Sequence, residues 1–201
     1  MTDRVKLLEK RLKPPWPRPE LPAIVVAGRS NVGKSSLLNR LLGRRRLAPT
    51  AKAPGRTRSI TFYLVDEAWV LADLPGYGYA RVSKQLQARW ATAIRDYLEG
   101  ASAPVAALCL VDGRHPPQPL DVDLWAYLGE LGIDRLLVLT KADKVKRGRR
   151  RQAQRQAAAT LGIRHDAALW WTSSASEEGI YSLRRNLDGL VVAARQRRSV
   201  E

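Results

Sequence analysis

The 201-residue chain has one cysteine, one methionine, one phenylalanine and two histidines. With a single cysteine it cannot build an internal disulfide framework, so a reducing cytoplasm is the expected compartment. That residue, Cys109, sits in "VAALCLV", where a buried, inert thiol is expected rather than a nucleophile. Long apolar runs are also missing. The first twenty residues, "MTDRVKLLEKRLKPPWPRPE", hold no apolar stretch of signal-peptide length. No segment approaches the roughly 20 apolar residues of a membrane span. No internal repeat or second domain is visible, and the length suits one domain with a sizeable core.

Negative charge is scarce. Nineteen Asp and Glu face thirty-five Lys and Arg, giving a net charge of +16. Such a surplus favours a polyanionic partner, nucleic acid or an anionic membrane, over a neutral one. The cations cluster at Arg44–Arg46, at "KVKRGRRRQAQR" (Lys144 to Arg155) and at "RQRR" near the C-terminus. Taken singly, each reads as a solvated face. No KH or RRM pattern accompanies them. The six tryptophans are mostly embedded in apolar periodicity, which favours packing over base stacking; Trp16, in a Pro-rich stretch, has no evident role.

Residues 1–21 read as a basic, Pro-rich arm, a short helix followed by extended chain, and residues 22–198 as one domain. Within the latter, "AIVVA", "SITFYLV", "AWVLADL", "PVAALCLV", "DRLLVLT" and "ALWWT" read as strands. The second and third form a candidate hairpin turning at Asp66 and Glu67. Helical patterns follow in "KSSLLNRLL", "SKQLQARWATAIRDYLE", "LDVDLWAYLGEL", "RRRQAQRQAAATLG" and "YSLRRNLDGLVVAARQ". This alternation predicts an α/β fold of three layers, a mainly parallel six-stranded sheet covered by helices on both faces. Ligands of such sheets bind at the carboxyl ends of the strands.

The strand ends carry the informative residues. "GRSNVGKSS" follows the first apolar run, and Gly28, Gly33, Lys34 and Ser35 match G-x-x-x-x-G-K-[ST]. Such a loop wraps a polyphosphate with its backbone N–H groups, here those of Arg29, Ser30, Asn31 and Val32 among others. A chance match is expected in about one chain in a hundred of this length. Asp73, Leu74, Pro75 and Gly76 form D-x-x-G at the end of the third strand. The aspartate can hold Mg²⁺ through water, and the Gly76 N–H can reach a γ-phosphate.

"TKAD", Thr140, Lys141, Ala142 and Asp143, ends the fifth strand. Its carboxylate can accept from guanine N1–H and the 2-amino group together. Adenine offers neither, and sites built on such pairing reject the analogue by about 10⁴-fold. Lys141 can lay its stem along the base. "TSSAS", from Thr172, Ser173 and Ser174 onward, ends the sixth strand, where small residues let a backbone N–H approach guanine O6. Between the first helix and second strand lies Gly55, Arg56, Thr57, Arg58 and Ser59, a lid-like segment whose Thr57 hydroxyl could join Ser35 and Asp73 at Mg²⁺. Together these point to GTP and GDP as ligands. A small-molecule kinase or a plain RNA-binding protein are the rival readings, and a nucleotide-binding panel separates them.

On "GRSNVGKSSLLN", "PGRTRSITFY", "DLPGYGYA" and "LTKADKV" the chain resembles the small GTP-binding proteins, and among them the bacterial EngB (YihA or YsxC) family, from about residue 5 to about 195. The resemblance implies a cytoplasmic GTPase acting in assembly of the large ribosomal subunit, with a link to cell division and septation; a monomer is the expected state. It implies catalytic contributions from Lys34, Thr57 and Gly76. Where Ras-like enzymes follow D-x-x-G with a water-orienting glutamine, this chain has Tyr77, so slow intrinsic hydrolysis is expected, aided by a ribosomal partner or an ion. Asn31 stands where potassium-activated relatives hold K⁺; it either does so here or braces the loop.

Overall fold

The computed structural model describes residues 5–44, 47–48, 59–78, 84–100, 104–163 and 169–198. Seven strands, β1 (Val5–Arg11), β2 (Ala23–Gly28), β3 (Ile60–Val65), β4 (Trp69–Asp73), β5 (Ala106–Asp112), β6 (Asp134–Thr140) and β7 (Leu169–Trp171), form one sheet in the order β1-β3-β4-β2-β5-β6-β7. Five helices join them: α1 (Lys34–Leu41), α2 (Lys84–Glu99), α3 (Pro119–Glu130), α4 (Arg147–Thr160) and α5 (Ile180–Arg198). The pairings of β2 with β4 and β5, of β5 with β6 and of β6 with β7 are parallel.

Strand periodicity divides the core in two. Ile24 and Val26 face one side with Leu37 and Leu38 of α1 and Leu183, Leu187 and Val191 of α5. Val25 and Ala27 face the other with Tyr97 of α2, Trp125 and Leu128 of α3 and Ala157 of α4. The expected hairpin joins β3 to β4. Asp66 and Glu67 both have positive φ, 51° and 52°, and the Ala68 N–H closes the turn on the Val65 carbonyl at 2.9 Å. Two consecutive left-handed residues match the twist of a tight hairpin. Cys109 is buried, and that burial pushes its thiol pKa up to about 12, which leaves it protonated and unreactive.

The N-terminal arm departs from expectation. Instead of a short helix, Val5–Arg11 forms the edge strand β1, antiparallel to β3, so the sheet has seven strands rather than six. Seven residues are too few to hold a helix alone in water, whereas the outer edge of β3 offers ready N–H and C=O partners. The register slips between Leu7 and Glu9, and Leu8 packs against the core cluster to which Trp16 belongs. Trp16 also finds its place. It is 8% exposed, with its ring 5.2 Å from Tyr97, edge to face, and 6.0 Å from Phe62. The arm thus closes the core over β3 and α2. Trp16→Ala should lower the unfolding free energy by about 3 kcal/mol, as buried aromatic truncations do; urea titration followed by circular dichroism measures it.

Candidate nucleotide-binding site

Parallel register gathers the predicted residues. Val26 lies opposite Asp73, Gly28 opposite Leu110, and Asp112 opposite Thr140. The carboxyl ends of β2, β4, β5 and β6 therefore share one edge of the sheet. There β2 turns into α1 through the glycine loop. At Gly28 an added Cβ would meet Val32 at 2.9 Å and Leu110 at 3.0 Å, so only glycine lets the loop lie this close to β5. Asn31 and Gly33 take positive φ, 65° and 105°, a geometry that turns successive N–H groups inward as an anion nest. No side chain caps the start of α1 and its first turn has no acid, so its N–H groups suit a phosphate. Ser35 lies in that turn.

Lys34 and Asp73 are 8% and 3% exposed, and the ammonium donates directly to Asp73 Oδ1. Burial raises the Asp73 pKa, and the Lys34 charge is the main counterweight. Removing either partner would strand a buried charge. The adjoining Gly76 rests on the glycine loop. An added Cβ there would meet the Ser30 backbone at 3.3 Å. The Ser30 N–H donates to the Tyr77 carbonyl at 2.9 Å, and its hydroxyl to the Gly76 carbonyl at 3.2 Å. Leu74, buried, donates its N–H to Val26.

The Tyr77 phenol points to α3, where it donates to Asp121 Oδ1 at 2.7 Å. Burial and then the Asp121 carboxylate push its pKa far above the usual phenol value. It stays neutral, with its proton committed.

The "TKAD" and "TSSAS" segments flank the loop. Thr140 donates its hydroxyl to the Val32 carbonyl at 2.7 Å. Lys141, in left-handed conformation, donates its ammonium to the Asn31 carbonyl and to Asp112 Oδ2, each at 2.8 Å. Ala142 donates its N–H to the Thr172 carbonyl at 3.0 Å. Asp143 Oδ1 accepts the Ser173 hydroxyl at 2.6 Å, and that bond, more than Lys144, holds its carboxyl below the ordinary pKa. Ser173 in turn accepts the N–H groups of Ala175 and Ser176. Asp143 is thereby aimed as an ionised acceptor, and Ser174 follows at the turn of the loop.

Asp112 escaped the sequence reading. Burial pushes its pKa up, but hydrogen bonds from Arg114 and Lys141 outweigh that and hold it well below the usual range. It anchors Lys141 against the loop; the only local signal was a lone acid ending the apolar run of β5. Beside it, Arg29, Asn31, Asp112, Arg114, His115 and Asp121 help line a cavity of about 400 Å³ between the loop and α3. Ser59 immediately precedes β3. The predicted Gly55, Arg56, Thr57 and Arg58 lie outside the described residues.

Comparison with known proteins agrees with this arrangement. Residues 23–141 match the family described as 50S ribosome-binding GTPase. The probable GTP-binding protein EngB of Pelotomaculum thermopropionicum is 42% identical over 164 residues, 82% of this chain and 83% of that protein. EngB of Geobacillus thermodenitrificans is 38% identical over 177 residues, covering 88% and 91% of the two chains. A crystal structure of a probable GTP-binding protein EngB superposes with a TM-score of 0.71 at 27% identity, over 85% of this chain and 99% of that one. The glycine loop, the D-x-x-G segment and the two polar strand-end loops thus occur within a chain that belongs to the EngB family of P-loop GTP-binding proteins.

Proposed function

We propose that this chain is a GTP switch of slow intrinsic turnover that acts on the large ribosomal subunit or its precursor. The observation that carries the nucleotide half is the Asp143–Ser173 bond, which joins the two strand-end loops beside the glycine loop. Asp143 reads the N1–H and 2-amino edge of guanine, Lys141 covers the base, and the N–H groups of Gly28–Ser35 bind the phosphates. Lys34 exchanges Asp73 for the β- and γ-phosphates. Ser35 and Asp73 supply a hydroxyl and a carboxylate, a donor set that suits Mg²⁺ completed by phosphate oxygens and water, with Thr57 as a third ligand. Held by these residues, Mg²⁺ would supply positive charge against that developing on the phosphates. Gly76 contributes its N–H at the γ-phosphate and Thr57 its hydroxyl to the metal, contacts that would be lost on hydrolysis. Tyr77, bonded to Asp121, does not orient water, which makes turnover slow without help.

Base recognition is tested by Asp143→Asn. The variant should lose at least about 100-fold in GTP affinity and prefer xanthosine triphosphate, whose 2-oxo group accepts from the new amide; equilibrium titration of GTP, ATP and XTP reads this.

Asn31 holds K⁺ in this proposal. Hydrolysis at saturating GTP should run faster in K⁺ than in Na⁺, and Asn31→Ala should abolish the difference.

The ribosomal half draws on the description of the matching family as 50S-binding and on the charge of +16. Helix α4 has no acidic residue, and Lys146, Arg147, Arg149, Arg151 and Arg155 are exposed around it. Septation defects would follow from failed ribosome assembly, and the switch acts as a cytoplasmic monomer. Cosedimentation with purified subunits should fall steeply as salt rises. It should be stronger with a non-hydrolysable GTP analogue than with GDP, and should favour the large subunit.

A further inference from the structure

Outside the residues already assigned, one side chain joins both loops of the proposed guanine site. Arg150, on α4, turns inward from the exposed arginines around it, with a side chain 16% exposed. Its Nη2 donates to the Ala142 carbonyl at 2.8 Å and its Nε to the Val145 carbonyl at 3.2 Å. Its Nη1 and Nη2 also reach the two carboxylate oxygens of Glu178, at 2.5 and 3.2 Å. The guanidinium lies over the ring of Trp171, 5.5 Å from its centroid. Ala142 immediately precedes Asp143, Trp171 ends β7 just before Thr172, and Glu178 ends the loop that carries Ser173 and Ser174. One planar group is therefore fastened to both sides of the Asp143–Ser173 bond.

The neighbouring loop contacts point the same way. Glu178 returns its carbonyl to the Ser173 N–H at 3.0 Å. Gly179 has φ 72° and sits where a Cβ would fall 2.0 Å from the Trp171 carbonyl, so the loop is wound tightly onto the end of β7. Arg40 of α1 holds the far side, donating to the Ser174 carbonyl at 2.9 Å and pairing with Glu177. That pair is open to water, at 45% and 64% exposure, and such pairs contribute little. Arg150 is the better buried of the two and spends its donors on four acceptors, which the single ammonium of lysine cannot reproduce.

We propose that Arg150 is a positioning residue for guanine recognition: it sets the spacing of the Thr140–Asp143 and Thr172–Ser174 loops so that Asp143 meets both guanine N–H groups at once. This rests on the guanine reading of those loops given above. Arg150 touches no base, so its loss acts through the alignment of Asp143. An O–H···O bond of 2.6 Å tolerates only a few tenths of an ångström before it weakens.

The experiment compares full-length wild type, Arg150→Ala, Arg150→Lys and, as a control for lost charge, Arg185→Ala. Affinities are measured for GDP and for inosine diphosphate, which lacks the 2-amino group, alongside melting temperature. Arg150→Ala should weaken GDP about ten-fold, the scale of a lost charged hydrogen bond, while leaving inosine diphosphate much less affected. The preference between the two should shrink accordingly, with Arg150→Lys intermediate and Arg185→Ala like wild type. Unchanged GDP affinity in Arg150→Ala would overturn the proposal. So would an equal loss of both nucleotides accompanied by a lower melting temperature, which would make Arg150 merely structural. Wild-type affinity for ADP is measured as well, and a wild type that bound GDP no better than ADP would instead overturn the guanine reading beneath it.

Discussion

The in-register parallel pairing of β2, β4, β5 and β6 is the constraint on which the site depends. Parallel strands all point their carboxyl ends the same way, and the observed register sets Asp73, Gly28, Asp112 and Thr140 along one edge. Because side chains alternate across a strand, a one-residue slip at any of these pairs would swap the residues of one core face with those of the other. Burial on both faces by two separate apolar clusters therefore enforces the alignment. The core sets the strand ends along this edge, and the polar contacts then fix the loops that leave it.

Those polar contacts then divide the labour. Lys34 with Asp73, and Lys141 with Asp112, each tie a cation of one motif to a carboxylate at the end of another strand. The first pair is buried, where an ion pair is retained only when both charges stay matched. The Lys141 pair is different: its ammonium also caps the Asn31 carbonyl, which ties the Thr140–Asp143 loop to the glycine loop. Tyr77, in turn, is drawn out of this edge by Asp121 on α3.

Much of the fold and site was legible before any coordinates, for local reasons. The continuous apolar runs "AIVVA" and "DRLLVLT", the G-x-x-x-x-G-K-S spacing and the Asp-Glu hairpin turn are all written in consecutive residues. The N-terminal strand was not. "VKLLEKR" carries no clear strand alternation, and it becomes β1 only because β3 presents an open edge and a bulge turns Leu8 into the core. Trp16 was equally opaque, since its partners Phe62 and Tyr97 lie on a distant strand and helix.

By itself the sequence determined which residue types stand at each strand end, because motif spacing and hydrophobic period act over a few residues. From these follow the glycine loop, the acid that ends the Thr-Lys-Ala-Asp segment and membership of a GTP-binding family. Tertiary structure alone decided which of those residues meet. Lys141 reaches a carbonyl 110 positions away, and Thr140 one 108 away. Asp112 and Arg150 also find partners on other elements, Lys141 29 positions and Glu178 28 positions away. Separations of that size leave no periodic trace, since the contact is made when strand register and helix packing bring the two segments together.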